Sequence, residues 1–163
     1  MKALVTYYSE TGNTKKIAQS IYDSLVIDKE IKPVQEAKNT EGYDIIFCGF
    51  PVHAHSVPPK AMNFITHLPK GQKIAFFSTH GSLRGGILPK QAFEHAVSLA
   101  INAKVLGHFG CRGQVKAEVL DALMKKLEHE AWVNEAQSAS GHPDKNDLAD
   151  AKSFAAEIMS KIK

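Results

Sequence analysis

Ala3-Leu4-Val5-Thr6-Tyr7-Tyr8-Ser9-Glu10-Thr11-Gly12-Asn13-Thr14-Lys15-Lys16 is the stretch whose reading decides the fold: an apolar run passes through a hydroxyl-rich turn into helical spacing. Ala3 to Tyr7 has the length and character of a short buried strand, and Ile17, Ile21 and Leu25 then recur on one helical face. The turn therefore sits at a helix N-terminus. There the first backbone N–H groups lack intrahelical partners and the macrodipole favours negative charge, which suits a phosphate. Ser9, Thr11 and Thr14 add hydroxyls, and Gly12 permits a positive φ and close backbone approach. Ser9 or Thr11 acting as a plain helix cap is the simpler alternative. Three hydroxyls in six positions favour a ligand. No Lys or Arg lies within the turn, and the Gly-Lys-Ser/Thr ending of a nucleotide-hydrolysing P-loop is absent, so the anion would be held by neutral donors.

Ser9-Glu10-Thr11-Gly12-Asn13-Thr14 after a first strand resembles the phosphate-binding loop of the flavodoxin-like family, T/S-x-T-G-x-T, and fills every position of that pattern. The resemblance implies a three-layer, doubly wound α/β fold. Its parallel five-stranded sheet would run in the order 2-1-3-4-5, for which flavodoxin is itself the reference example. It also implies one FMN, its monophosphate held by Ser9, Glu10, Thr11, Gly12, Asn13 and Thr14.

The remainder of the chain fits that plan. At 163 residues and 44% hydrophobic content, a single domain over residues 1–163 is expected. Ile45-Ile46-Phe47-Cys48-Gly49, Ile74-Ala75-Phe76-Phe77 and Val105-Leu106-Gly107-His108-Phe109 are apolar runs suited to central strands. Between them, Ala61, Phe64, Ile65 and Leu68 line one helical face, and Phe93, Ala96, Val97 and Ala100 another. Ile31-Lys32-Pro33-Val34 contains a proline and belongs at a sheet edge, where strand 2 of the quoted order lies. Two helical patterns follow the fifth strand where one would suffice. Leu120, Leu123, Met124, Leu127 and Ala131 mark an extra helix over residues 116–136, ahead of a closing C-terminal helix with Leu148, Ala151, Ala155, Ile158 and Ile162.

Ligands of such sheets lie beyond the carboxyl ends of the strands, near the point where strand order reverses. Two loops besides the phosphate turn reach that region. The resemblance implies that Pro51, Val52, His53 and Ala54 from one, and Ser78, Thr79, His80, Gly81, Ser82 and Gly85 from the other, contact the isoalloxazine ring. Family members often place Trp or Tyr in these loops. This chain has His53 and His80 there, and its one tryptophan, Trp132, falls in the extra helix.

Other chemistries find little support. His53-x-His55 with His80 lacks a nearby Asp, Glu or Cys to complete a metal site, so no metal is expected. There is no Gly-x-Ser-x-Gly turn, and Tyr7-Tyr8-Ser9 lacks the acidic residues a magnesium-dependent receiver domain needs. Cys111 beside Arg112 reads as a packed residue near the cofactor rim, and Cys48 as core. No segment is long and apolar enough to span a membrane, and Met1-Lys2-Ala3-Leu4 leads into a strand, so the cytoplasm is the expected compartment.

The net charge of +3 conceals an asymmetry. Residues 1–50 hold 6 Lys/Arg and 7 Asp/Glu, residues 51–115 hold 7 and 1, and residues 116–163 hold 7 and 9. If the positive middle segment surrounds the ring, it would favour an anionic reduced flavin. The same segment suits an acidic redox partner protein, or an anionic small molecule near Arg84. Scattered Lys/Arg without interleaved aromatics argue against nucleic acid. The expected function is an FMN-binding electron-transfer protein, since no residue presents itself as a substrate acid or base. An FMN-dependent NAD(P)H oxidoreductase is the enzymatic alternative, and a cofactor-free binding module the third reading.

Overall fold

In the computed structural model, which describes residues 1–162 apart from the side chain of Leu127, five parallel strands stand in the order β2-β1-β3-β4-β5. The elements are β1 (Lys2–Tyr7), α1 (Asn13–Ser24), β2 (Asp28–Pro33), β3 (Ile45–Pro51), α2 (Pro59–Thr66) and β4 (Lys73–His80). They continue with α3 (Ile87–Leu99), β5 (Lys104–Arg112), α4 (Ala117–Met124), a 3-10 turn (Leu127–His129), α5 (Glu130–Gln137) and α6 (Lys145–Ser160).

A parallel strand covered by helices on both faces must be apolar at successive positions, which is why β3 and β4 read as unbroken runs. Ile45 and Phe47 of β3, with Ala75 and Phe77 of β4, face α1 and α6. Ile46, Cys48 and Phe50, with Ile74 and Phe76, face α2 and α3. Phe47, Phe50, Phe76 and Phe77 are fully buried, each contributing about 2–3 kcal/mol of hydrophobic stabilisation. Gly49 lies opposite Phe77, so close that a Cβ at position 49 would overlap the ring. Pro33 closes the edge strand β2, and the ladder resumes beyond it when the Val34 N–H donates to the Tyr7 carbonyl (2.9 Å).

Two helical faces differ from their expected form. The face of α3 that meets the sheet holds the expected Phe93 and Ala96, with Ala100 just past the helix, and adds Pro89 and Ala92; of the expected face Val97 is left 41% exposed. Residues 116–136 form two short helices joined by the 3-10 turn, and α4 has no buried residue. It packs on α5 and the turn, so Leu120 and Leu123 are half-buried while Met124 and Ala131 are exposed. The Leu127 side chain of that stripe lies outside the described residues.

His108 of β5 stacks on Phe93 of α3, ring centroids 4.3 Å apart, with its Nε2 3.3 Å from Ser78 Oγ. Burial, reinforced by neighbouring His80, pushes the His108 imidazole down to about 4. The unfolded chain, titrating near the ordinary value of about 6.5, takes up this proton first as the pH falls. Stability is therefore whole above about pH 6.5 and is lost progressively down to about 4. Urea unfolding of the wild type should weaken across that window, and His108→Gln should remove part of the loss, on the order of 1–2 kcal/mol. His80, shifted in the same direction by burial, supplies another part.

Candidate functional site

The turn after β1 ends on Gly12, the N-cap of α1, whose φ of 93° lies in the left-handed region that glycine favours. Ser9 Oγ accepts from the Gly12 N–H (3.1 Å) and, at longer range, from the Lys15 N–H (3.4 Å), which folds the turn on itself. Ser9 thus does some of the work of a cap. The N–H groups of Thr11, Asn13 and Thr14 have no partner among the described residues, and a Cβ at Gly12 would meet open space. Thr14 is buried, its Oγ1 2.9 Å from Thr79 Oγ1 on β4. Asn13 Nδ2 donates to the Gln114 carbonyl (3.0 Å) and comes so near Gly113 that a Cβ there would stand 2.8 Å from it. Free N–H groups, the exposed Thr11 hydroxyl and an open glycine make a cradle that fits a phosphate monoester.

A cavity of about 630 Å³ opens from this turn. Glu10, Thr11, Asn13 and Thr14 line one part, Pro51, Val52, His53 and Ala54 another, and Thr79, His80 and Gly81 a third. Three of the expected residues lie elsewhere. Ser78 is fully buried and faces His108 across β4 and β5, because successive strand residues point to opposite faces and Thr79 is the one turned toward α1. Ser82 is buried and offers its carbonyl to His80 Nδ1 (2.8 Å), and Gly85, at φ 73°, occupies a turn beyond the wall. Ser9 and Gly12 shape the turn without lining the cavity.

The remaining wall was not foreseen. It comes from Gly113 to Lys116 after β5, from Val119 and Leu123 of α4, and from Trp132 of α5, with Leu88 and His129. One signal for the first of these was available: residues just past the fifth strand emerge at the same end of the sheet as the other loops.

Charge is arranged differently from the expectation. Arg84 reaches away to α6, with Nη1 2.8 Å from Asp150 Oδ2 and Nη2 3.4 Å from Asp147 Oδ1, and lies over the Phe109 ring. Arg112 donates to the carbonyls of Gly81 (3.1 Å) and Glu135 (2.7 Å) and to Ser138 Oγ (2.7 Å). Local carboxylates and carbonyls capture both guanidinium groups, so the positive charge of residues 51–115 is not gathered on the cavity. The formally charged side chains lining it are Glu10 and Lys116. Glu10 Oε1 accepts from Tyr8 Oη (2.9 Å) and lies 3.3 Å from His53 Nε2. His80 donates through Nδ1 to Ser82, and burial lowers its pKa, which keeps it neutral at pH 7.

Cys111 is buried in the core against α6 and not at the cavity rim; burial pushes its thiol up to about 12, so it is no nucleophile. Among the described residues, the metal-type ligand atoms that gather within 4.8 Å belong to His142, Asp144 and Asp147, not to His53, His55 and His80. Those three build the start of α6. Asp144 Oδ1 accepts from the Asn146 and Asp147 N–H groups, and Asp147 Oδ2 accepts from the Asp144 N–H and lies 2.6 Å from His142 Nδ1.

With this geometry in view, the sequence profile of the flavodoxin domain matches residues 4–156. The chain belongs to the flavodoxin-domain family. Within that family, the flavodoxin-like domain-containing protein BilS of Clostridioides difficile is 34% identical, over 99% of this chain and 98% of its own. Flavodoxin 2 of Bacillus cereus superposes with a TM-score of 0.67 at 18% identity, over 99% of each chain. A flavoprotein of Lactobacillus acidophilus, solved in complex with FMN, gives a TM-score of 0.53 at 22% identity, over 67% of this chain and 92% of its own. These structural likenesses are likenesses of fold. No helix among the described residues of this flavodoxin-domain protein is long and apolar enough to cross a membrane.

Proposed function

We propose that this protein binds one FMN non-covalently and passes electrons to or from a partner protein. The observation that carries the reading is the set of unpartnered N–H groups of Thr11, Asn13 and Thr14 at one end of a cavity bounded by the 51–54 and 79–81 segments. Those groups and the Thr11 hydroxyl would hold the phosphate, while Val52, Ala54 and Gly81 would bound the ring. Bound FMN supplies the redox chemistry, and the chain supplies anchor, walls and field. His80, neutral at pH 7, holds a fixed Nδ1–H tautomer beside the cavity and adds no charge to it.

A redox partner with an acidic surface fits the face carrying α2 and α3. Glu94 is the one acidic residue on α2 or α3, whereas Lys60, Lys70, Lys90, His55 and His67 are exposed on or around those helices. A partner docking there would approach beside the 51–56 loop. Direct reduction by NADH or NADPH is the second reading, favoured by the apolar lobe of Leu88, Val119 and Leu123, which offers room beside the ring for a second flat molecule. Stopped-flow mixing of the FMN-loaded protein with NAD(P)H separates the two. Flavin bleaching only after a reductase is added supports the carrier, and fast direct bleaching supports the reductase.

A further inference from the structure

The loops that flank the expected ring position carry no Trp or Tyr, yet the cavity has an indole in its wall. Trp132, the chain's one tryptophan, lines the same cavity as the phosphate turn. Its Cζ2 stands 3.7 Å from where a Cβ on Gly81 would be, and Gly81 belongs to the second ring loop. The placement is built from several directions. Val133, Ala136 and Ala139 are buried beneath α5, and Arg112 binds the carbonyls of Gly81 and Glu135 together. Glu135 Oε1 accepts from the Leu83 N–H (2.6 Å) on the loop itself. Trp132 is half-buried and lines the cavity.

A second observation points the same way. α4 buries none of its residues, and its Val119 is 43% exposed while lining the cavity beside Leu123. An amphipathic helix turns its apolar side toward something. Here Val119 and Leu123 of that side line the same cavity as Trp132 and Gly81.

We propose that the segment from Val115 to Trp132 is the ring clamp of this protein, with Trp132 packed against the isoalloxazine in place of the aromatic residues missing from the two loops. The proposal rests on FMN as the cofactor and adds which side chain holds its ring. A flat, electron-poor ring gains dispersion and π contact from an indole, and a contacting indole quenches flavin emission by electron transfer. Lost stacking on a single aromatic corresponds to a change in affinity of about tenfold or more.

The test compares wild type, Trp132→Phe and Trp132→Leu, each titrated with FMN and read by calorimetry and by flavin fluorescence. The expected result is strong binding with quenched emission in the wild type. Trp132→Leu should bind about tenfold more weakly with emission restored, and Trp132→Phe should recover most of the affinity but not the quenching. Equal affinity and equal quenching in all three proteins would overturn the clamp while leaving the cofactor in place. A wild type that takes up no FMN would instead remove the cofactor reading beneath it. Far-UV circular dichroism and thermal unfolding of the cofactor-free variants, unchanged from wild type, show that the comparison reports on the ring contact. If Trp132→Leu is unfolded, Trp132→Phe alone decides: quenching equal to wild type counts against the clamp.

Discussion

Thr11→Asp should lower FMN affinity by about 100-fold or more, a loss of about 3 kcal/mol. Thr11 lines the cavity at its turn end, is exposed, and has a free N–H flanked by those of Asn13 and Thr14. A carboxylate there removes a hydroxyl donor, worth about 1 kcal/mol, and sets a negative charge against the phosphate dianion, which supplies the rest. An exposed loop substitution of this kind leaves the fold alone, within about 0.5 kcal/mol. Titration of both proteins with FMN and with riboflavin gives the answer. Affinity for FMN should collapse while the weaker affinity for riboflavin stays level, and parallel losses for both would place the phosphate elsewhere.

Gly49→Ala should destabilise the protein by about 3 kcal/mol, the upper end of what overpacking costs. Gly49 pairs with Tyr7 on one side and Phe77 on the other, at the centre of the sheet, and Phe77 is fully buried under α1 and α6. The added methyl has nowhere to go but into the ring. Phe77→Leu, made in the Gly49→Ala background, should recover about 1–2 kcal/mol, because the smaller side chain vacates the disputed volume. Denaturant unfolding of the four proteins of that cycle measures the coupling. Strict additivity would mean that the Phe77 ring is not what position 49 accommodates. Because β3 runs on into Pro51, which lines the cavity, the same strain would reach the 51–54 segment of the cavity wall.

The sheet was legible in the sequence for a physical reason: buried parallel strands are apolar at successive positions, so Ile45–Phe47 of β3 and Ile74–Phe77 of β4 stand out as unbroken runs. Pro33 identified the edge strand because only an edge tolerates a missing donor. The turn at the start of α1 was legible because its geometry is local, residues 9 to 14 supplying both the Gly12 cap and the Ser9 hydroxyl that folds it. Ser78 was misplaced although the period of two in a strand separates it from Thr79. Long-range choices left no such trace. Whether Arg84 turns to the cavity or to Asp147 and Asp150 depends on where α6 lies, its two carboxylates standing 63 and 66 residues further along the chain. Trp132 lines the cavity on a helix that Arg112 ties to Gly81 through the Glu135 carbonyl, a contact that no periodicity announces.

Calorimetric titration of the cofactor-free protein with FMN and with riboflavin, which differ only by the phosphate, tests the phosphate cradle most directly. One FMN per chain is expected, bound at least about 100-fold more tightly than riboflavin, the margin that two or more charge-assisted hydrogen bonds supply. Equal affinities, or no heat on adding FMN, would contradict it.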